Sequence, residues 1–205
     1  STTLYSALNT INDPCKNILT IEDPIEYQLK GISQVQVRME MKPPLTFADA
    51  LRSFLRQDPD IILVGEIRDT ETAEIAIKAA MTGHLVLSTL HTNDAPSAIN
   101  RLVNMGTEHF LVVASLVCIV AQRLVRRICS SCKEAHGYPP EALAALGMDP
   151  QQVGTLYIGR GCDSCRGIGY RGRMALYELM RMTDRLREAT LANMSASQLK
   201  RIALE

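Results

Sequence analysis

Two apolar runs in this sequence end in acids, and both acids are placed where chemistry can be done. Ile61-Ile62-Leu63-Val64 leads into Gly65-Glu66, and Asn17-Ile18-Leu19-Thr20-Ile21 leads into Glu22-Asp23-Pro24-Ile25-Glu26. A continuous apolar run fits a strand buried on both faces, and open α/β sheets bind ligands beyond the carboxyl ends of their strands. An acid there can handle Mg2+, directly or through water, or polarise the water that attacks a phosphate. Three acids within residues 22–26 are costly unless they are solvated or metal-facing. The plainer alternatives are a helix-capping carboxylate for Glu66 and a solvated acidic turn for residues 22–26. His91 follows a third buried run, within Thr89-Leu90-His91-Thr92. It can contact phosphate or sense a nucleotide, or it can serve structure alone. Arg52, Arg56 and Arg68 offer bidentate forks for phosphate or a neighbouring subunit. The alternatives are a solvated basic helix face and a local Arg68–Asp69 ion pair.

The cysteines carry a second chemistry. Of six, Cys129 and Cys132 form one C-x-x-C, Cys162 and Cys165 another, and Cys15 and Cys118 stand alone in apolar settings that suit core residues. Four thiolates in a tetrahedral array suit a structural zinc ion and leave no open catalytic position. His136 lies four residues after Cys132 and is the alternative ligand. His84 reads as structural and His109 as a helix-start residue. Gly167-Ile168-Gly169-Tyr170-Arg171-Gly172 matches a dinucleotide fingerprint but follows a C-x-x-C, so the required context is missing. No G-x-x-x-x-G-K-[ST] phosphate loop occurs anywhere.

These residues need elements to position them. A short helix is expected over 2–10, a strand over 17–21 and an exposed, alternating strand over 33–39. Thr46 caps a helix with Asp49 three residues on and Phe47, Leu51, Phe54 and Leu55 as its apolar stripe. A helix over 71–82 ends at Gly83, a buried strand follows over 84–90, and a helix over 94–105 has Pro96 in its first turn and Gly106 after it. A longer, mostly apolar helix is expected over 109–127. Residues 129–177 read as a small metal-stabilised subdomain with a helical insertion at 141–146, and residues from 182 onward as helical. Strand–helix alternation predicts an open parallel sheet covered on both faces.

Composition bounds the function. Hydrophobic residues make up 46% of the 205 and charged residues 21%, which excludes a disordered chain. Lys plus Arg and Asp plus Glu are 22 each, which argues against a broad basic face for duplex nucleic acid. Aromatics at 4% give little for a single-strand stacking channel. No apolar run reaches the roughly 18 residues of a membrane span. No export signal begins the chain, so a cytoplasmic site is expected, and the missing initiator Met suggests a piece of a longer protein.

The motifs together resemble the secretion ATPase superfamily of GspE/PilB type. Ile21-Glu22-Asp23-Pro24-Ile25-Glu26 is similar to its Asp box. Leu55-Arg56-Gln57-Asp58-Pro59-Asp60-Ile61-Ile62-Leu63-Val64-Gly65-Glu66-Ile67-Arg68-Asp69 resembles its Walker B signature. Thr82-Gly83-His84-Leu85-Val86-Leu87-Ser88-Thr89-Leu90-His91-Thr92-Asn93 resembles its His box, and the paired C-x-x-C its zinc subdomain. Residues 51–56 and 99–106 lean towards the pilus extension branch over the type II secretion branch. The resemblance implies a RecA-like core over 1–127, a tetracysteine zinc subdomain over 128–178 and a C-terminal helical segment over 179–205. It implies ATP and Mg2+, with Glu22 polarising water, Glu26 supporting it, Glu66 holding Mg2+ through water and His91 reporting the nucleotide. Ser1 becomes the hydroxyl ligand of Mg2+ at the end of a phosphate loop whose Gly and Lys precede this chain, so the chain alone is expected to be weak or inactive. Arg52, Arg56 and Arg68 fall near subunit interfaces of a homo-hexamer. The implied function is a motor of type IV pilus assembly, acting at the inner membrane through a platform protein. The alternatives are a type II secretion motor and a catalytically silent, zinc-stabilised interaction module.

Overall fold

Period-two burial organises the sheet. The computed structural model describes residues 2–205, beginning with α1 (Thr2–Ile11), β1 (Ile18–Glu22), β2 (Ser33–Gln36), α2 (Phe47–Phe54), β3 (Ile61–Val64), α3 (Thr70–Met81), β4 (Leu85–Ser88), α4 (Ala95–Asn104) and α5 (His109–Ser115). The strands form one four-stranded parallel sheet in the order β2-β1-β3-β4. Alternate side chains go to opposite faces. Leu19, Ile21, Ile62 and Val64 join a large core with Leu51, Phe54, Ala73, Ile99 and Val112. Ile18, Ile61 and Leu63 join a smaller one with Leu8 of α1. The expected parallel α/β sheet, covered on both faces, is therefore what forms. β2 stops at Gln36, short of the expected 39, and the chain then makes a lone bridge from Arg38 to Leu45.

Capping fixes the helix starts. The Thr46, Asp69 and Asp94 side chains accept from the backbone N–H of Asp49, Thr72 and Ser97, each satisfying a donor that the helix leaves unpaired. Their register matters for the site. Ile21 pairs with Val64, and Val64 with Ser88, so β1, β3 and β4 end at one level. Gly65 permits the approach there: its N–H donates to Ile21 O at 2.8 Å, and a Cβ would lie 3.2 Å from that oxygen and 3.3 Å from Glu22 Cα.

The structure corrects the helix expected over 109–127. Helix α5 ends at Ser115, and β5 (Cys118–Ile128) follows. Val117, Ile119 and Val120 are β-branched and stiff at χ1, Val117 O accepts from the Met182 N–H at 3.0 Å, and a downstream strand pairs with this one. After β5 come β6 (Lys133–Ala135), α6 (Pro140–Ala145), β7 (Tyr157–Gly159) and β8 (Tyr170–Arg181). β5 pairs with β8, and β6 pairs antiparallel with β7. The C-terminal helical stretch is two helices, α7 (Asp184–Leu191) and α8 (Ala196–Leu204). The chain up to Ala121 together with Glu178–Glu205 forms one compact unit, and Gln122–Tyr177 another. Leu186, Ala189 and Leu199 of the last two helices lie in the large core.

Candidate functional site

A cleft of about 300 Å3 opens at the carboxyl end of the sheet, lined by Tyr5, Glu22, Asp23, Glu26, Glu66, Arg68, Thr89 and His91 among others. Glu22 is the last residue of β1 and only 4% exposed. Three donors among the described residues hold its carboxylate. Thr20 Oγ1 and Gln34 Nε2 donate to Oε1 at 2.6 and 3.0 Å, and the Tyr5 hydroxyl donates to Oε2. Thr20 and Gln34 are register partners across β1 and β2, so the sheet itself sets two of the three contacts.

Glu66 stands beyond β3 with a side chain 13% exposed. Arg68 Nη2 lies 2.5 Å from Oε1, and His91 Nε2 lies 2.9 Å from Oε2. The Arg68 contact foremost, then His91, hold this carboxyl below the ordinary carboxylate range, although partial burial pushes the other way. The Arg68 guanidinium is raised reciprocally by Glu66. The His91 side chain is 82% exposed, so it reaches Glu66 from the solvent side of the cleft.

Arg52 and Arg56 do not line this cleft among the described residues. Arg52 pairs with Asp49 at 3.4 Å and with Glu71, while Arg56 is exposed just after α2. Ser1 lies outside the described residues. His84 Nδ1 meets Ala79 O at 2.9 Å in the turn after α3, and His109 Nε2 meets Asn193 Oδ1 at 3.0 Å. Cys15 and Cys118 are exposed, which corrects their expected place in the core. Cys15 sits in a turn where its N–H donates to Asp13 Oδ1 at 2.8 Å, and Cys118 starts β5 on an outward-facing position.

The other four cysteines converge. Their sulfurs all lie within 4.8 Å of one another, with Cys129–Cys162 at 3.9 Å and Cys132–Cys165 and Cys162–Cys165 at 3.8 Å. Four sulfurs at about 2.3 Å from a tetrahedral centre stand about 3.8 Å apart, so the donor set and its spacing fit zinc. A disulfide needs about 2.05 Å. The backbone N–H groups of Cys162 and Gly169 donate to Cys165 Sγ, each at 3.2 Å; burial opposes ionisation of its thiol most strongly, but these contacts together with the Cys162 and Cys132 sulfurs lower it overall. Gly169 also accepts from the Cys129 N–H at 3.0 Å. The glycine fingerprint thus serves the cysteine cluster: Gly169 has φ +73°, and a Cβ there would meet Gly159 O at 2.3 Å. His136 is not in the cluster and packs edge-on against Tyr138.

Tyr5, Thr20 and Gln34 escaped the sequence reading. Thr20 was accessible, since period two puts it on the face of Glu22. Gln34 and Tyr5 were not, because no local pattern pairs them with that acid.

The type II/IV secretion system protein family matches residues 1–205. The type IV pilus assembly ATPase PilB of Myxococcus xanthus is 55% identical over 207 residues, covering 100% of this chain and 36% of its own length. The type II secretion system protein E of Pseudomonas aeruginosa is 54% identical over 198 residues, covering 97% of this chain and 39% of its own length. Among solved structures, the pilus retraction motor PilT with bound ADP superposes with TM-score 0.67 at 32% identity, over 98% of this chain and 48% of that one. The chain therefore spans well under half the length of the two curated relatives and just under half of the solved chain. No helix among the described residues is long and apolar enough to cross a membrane.

Proposed function

This chain belongs to the type II/IV secretion system protein family, and from that membership we propose that it is the ATPase segment of a longer motor that drives type IV pilus assembly. The observation that carries the reading is the meeting of Glu22 and Glu66, from adjacent parallel strands, in one cleft with Arg68 and His91. Glu22 polarises the attacking water and takes its proton. Glu26 supports it from the same loop. Arg68 and His91 hold Glu66 ionised, and Glu66 would hold Mg2+ through water. The acidic oxygens of the cleft suit a hard cation, and Mg2+ bound there supplies charge neutralisation at the phosphates. Ser1 and the phosphate loop ahead of it complete the nucleotide site in the longer protein.

In the same reading, copies assemble into a homo-hexamer with Arg52 and Arg56 at its interfaces. The motor sits in the cytoplasm, peripheral to the inner membrane, through a platform protein. Cys129, Cys132, Cys162 and Cys165 hold a structural zinc ion. The second reading is type II secretion, favoured by the 54% identity to the Pseudomonas aeruginosa protein.

The test is Mg2+-dependent ATP turnover of the 205-residue chain beside a form extended upstream through the phosphate loop and the neighbouring domain. Turnover in the extended form, reduced roughly 10²–10⁴-fold by Glu22→Gln with nucleotide still bound, supports the motor. No turnover under assembly-promoting conditions sinks it in favour of a silent interaction module. Restoration of pili, but not of secretion, in cells lacking the motor separates the two systems.

A further inference from the structure

The donors around Glu22 leave its two oxygens unequal. An ionised carboxylate has roughly four acceptor sites. On Oε1 two are filled, by Thr20 Oγ1 at 2.6 Å and Gln34 Nε2 at 3.0 Å. Gln34 is itself anchored, since its Oε1 accepts from the Leu29 N–H at 2.7 Å and its Nε2 also meets Tyr27 O at 3.3 Å. On Oε2 the Tyr5 hydroxyl is the donor among the described residues. One acceptor site therefore remains, and it is on Oε2.

Tyr5 is well built to hold that oxygen. Its own oxygen accepts the Glu26 N–H at 3.2 Å, so its single proton is committed to Glu22. Tyr5 is 2% exposed as a residue, and its ring stands edge-on to Tyr27 with centroids 4.5 Å apart. Tyr5 and Glu22 both line the cleft. We propose that Tyr5 is a positioning residue for hydrolysis, holding Glu22 so that the remaining site on Oε2 meets the attacking water. The inference rests on the reading of Glu22 as the acid that polarises water. It gives α1 a second role, because the helix that directly follows Ser1 also aims the acid.

The test uses the longer motor. Tyr5→Phe is expected to lower kcat about tenfold or more, with KM and affinity for a non-hydrolysable ATP analogue unchanged, because the lost contact is to the acid and not to the nucleotide. In a Glu22→Gln background the same change is expected to add nothing. A Tyr5→Phe protein with full kcat, beside an inactive Glu22→Gln, overturns this inference and leaves the reading of Glu22 intact. An active Glu22→Gln overturns both. Losses that add in the double variant, or that fall on KM, reduce Tyr5 to a packing residue and also overturn it. A second readout needs no turnover and no Tyr5 variant. In the nucleotide-free motor the Tyr5 phenol is pushed up by burial foremost and by the Glu22 contact. Carbon-13 NMR of the tyrosine Cζ should show it ionising at lower pH in Glu22→Gln, and an unmoved phenol overturns the contact.

Discussion

Glu66 illustrates how a single carboxylate ties the cleft to pH. Arg68 and His91 meet its two oxygens at 2.5 and 2.9 Å, and they hold its folded pKa below the unperturbed 4.5. A depressed carboxylate contributes stability that is fully present above its unfolded value and is lost as pH falls through the folded one. Acidification from about pH 6 to about pH 3 should therefore lower the denaturant midpoint of the parent more than that of Glu66→Gln. The cysteine cluster is common to both proteins, so the difference isolates Glu66. Equal acid sensitivity would show that the carboxylate is not held. The same residue bears on mechanism. Both oxygens already have partners, Arg68 on Oε1 and His91 on Oε2, and the His91 side chain is the more exposed of the two, at 82% against 61%.

At the scale of the element, Gly65 decides whether the two acids can share a cleft. β3 leaves the sheet at Gly65 directly against the end of β1, and a Cβ there would press on Ile21 O and Glu22 Cα at 3.2 and 3.3 Å. Both neighbours are backbone, which yields less than a flexible side chain. Gly65→Ala is expected to cost about 1–3 kcal/mol by overpacking, with Gly65→Val costing more, read as a shift in thermal midpoint and in the amide resonance of Glu22. A neutral Gly65→Val would show that β1 can give way. The ribbon of β5 and β8 teaches a different lesson about elements. An apolar stretch such as residues 110–121 satisfies a helix and a strand equally by hydropathy. The unpaired backbone groups after Ser115 were satisfied by a strand arriving from Tyr170 onward, and nothing local announces that partner.

At the scale of the whole molecule, the two units differ in what can hold them together. The first has a sheet with apolar cores on both faces. In the second, the buried apolar side chains among the described residues are Leu143 and the two cysteines Cys129 and Cys165, and β6 and β7 are 3 residues each. So small a core is marginal without a staple, and structural zinc sites supply folding energy outright. Chelation should therefore abolish hydrogen-exchange protection at Cys129, His136 and Arg160, whose N–H groups are bonded within that unit, while Ile21 and Val64 stay protected. Cys162→Ser should do the same without chelator. Protein that contains no zinc as isolated, or that keeps this protection after chelation, would remove the metal from the account.

The sequence alone determined the strand–helix alternation, the parallel sheet, the acids at strand ends and the paired cysteine motifs. Each of these is written in local periodicity, capping residues or short spacings, which act over a few residues and need no partner to be read. Only the tertiary structure decided that Tyr5 and Gln34 hold Glu22, that Arg68 and His91 bracket Glu66, that Arg52 turns to Glu71 outside the cleft, and that residues 118–128 form a strand. Those outcomes depend on which distant side chains and backbone groups meet. Such meetings are settled by the competition to bury apolar surface and satisfy every buried polar group at once.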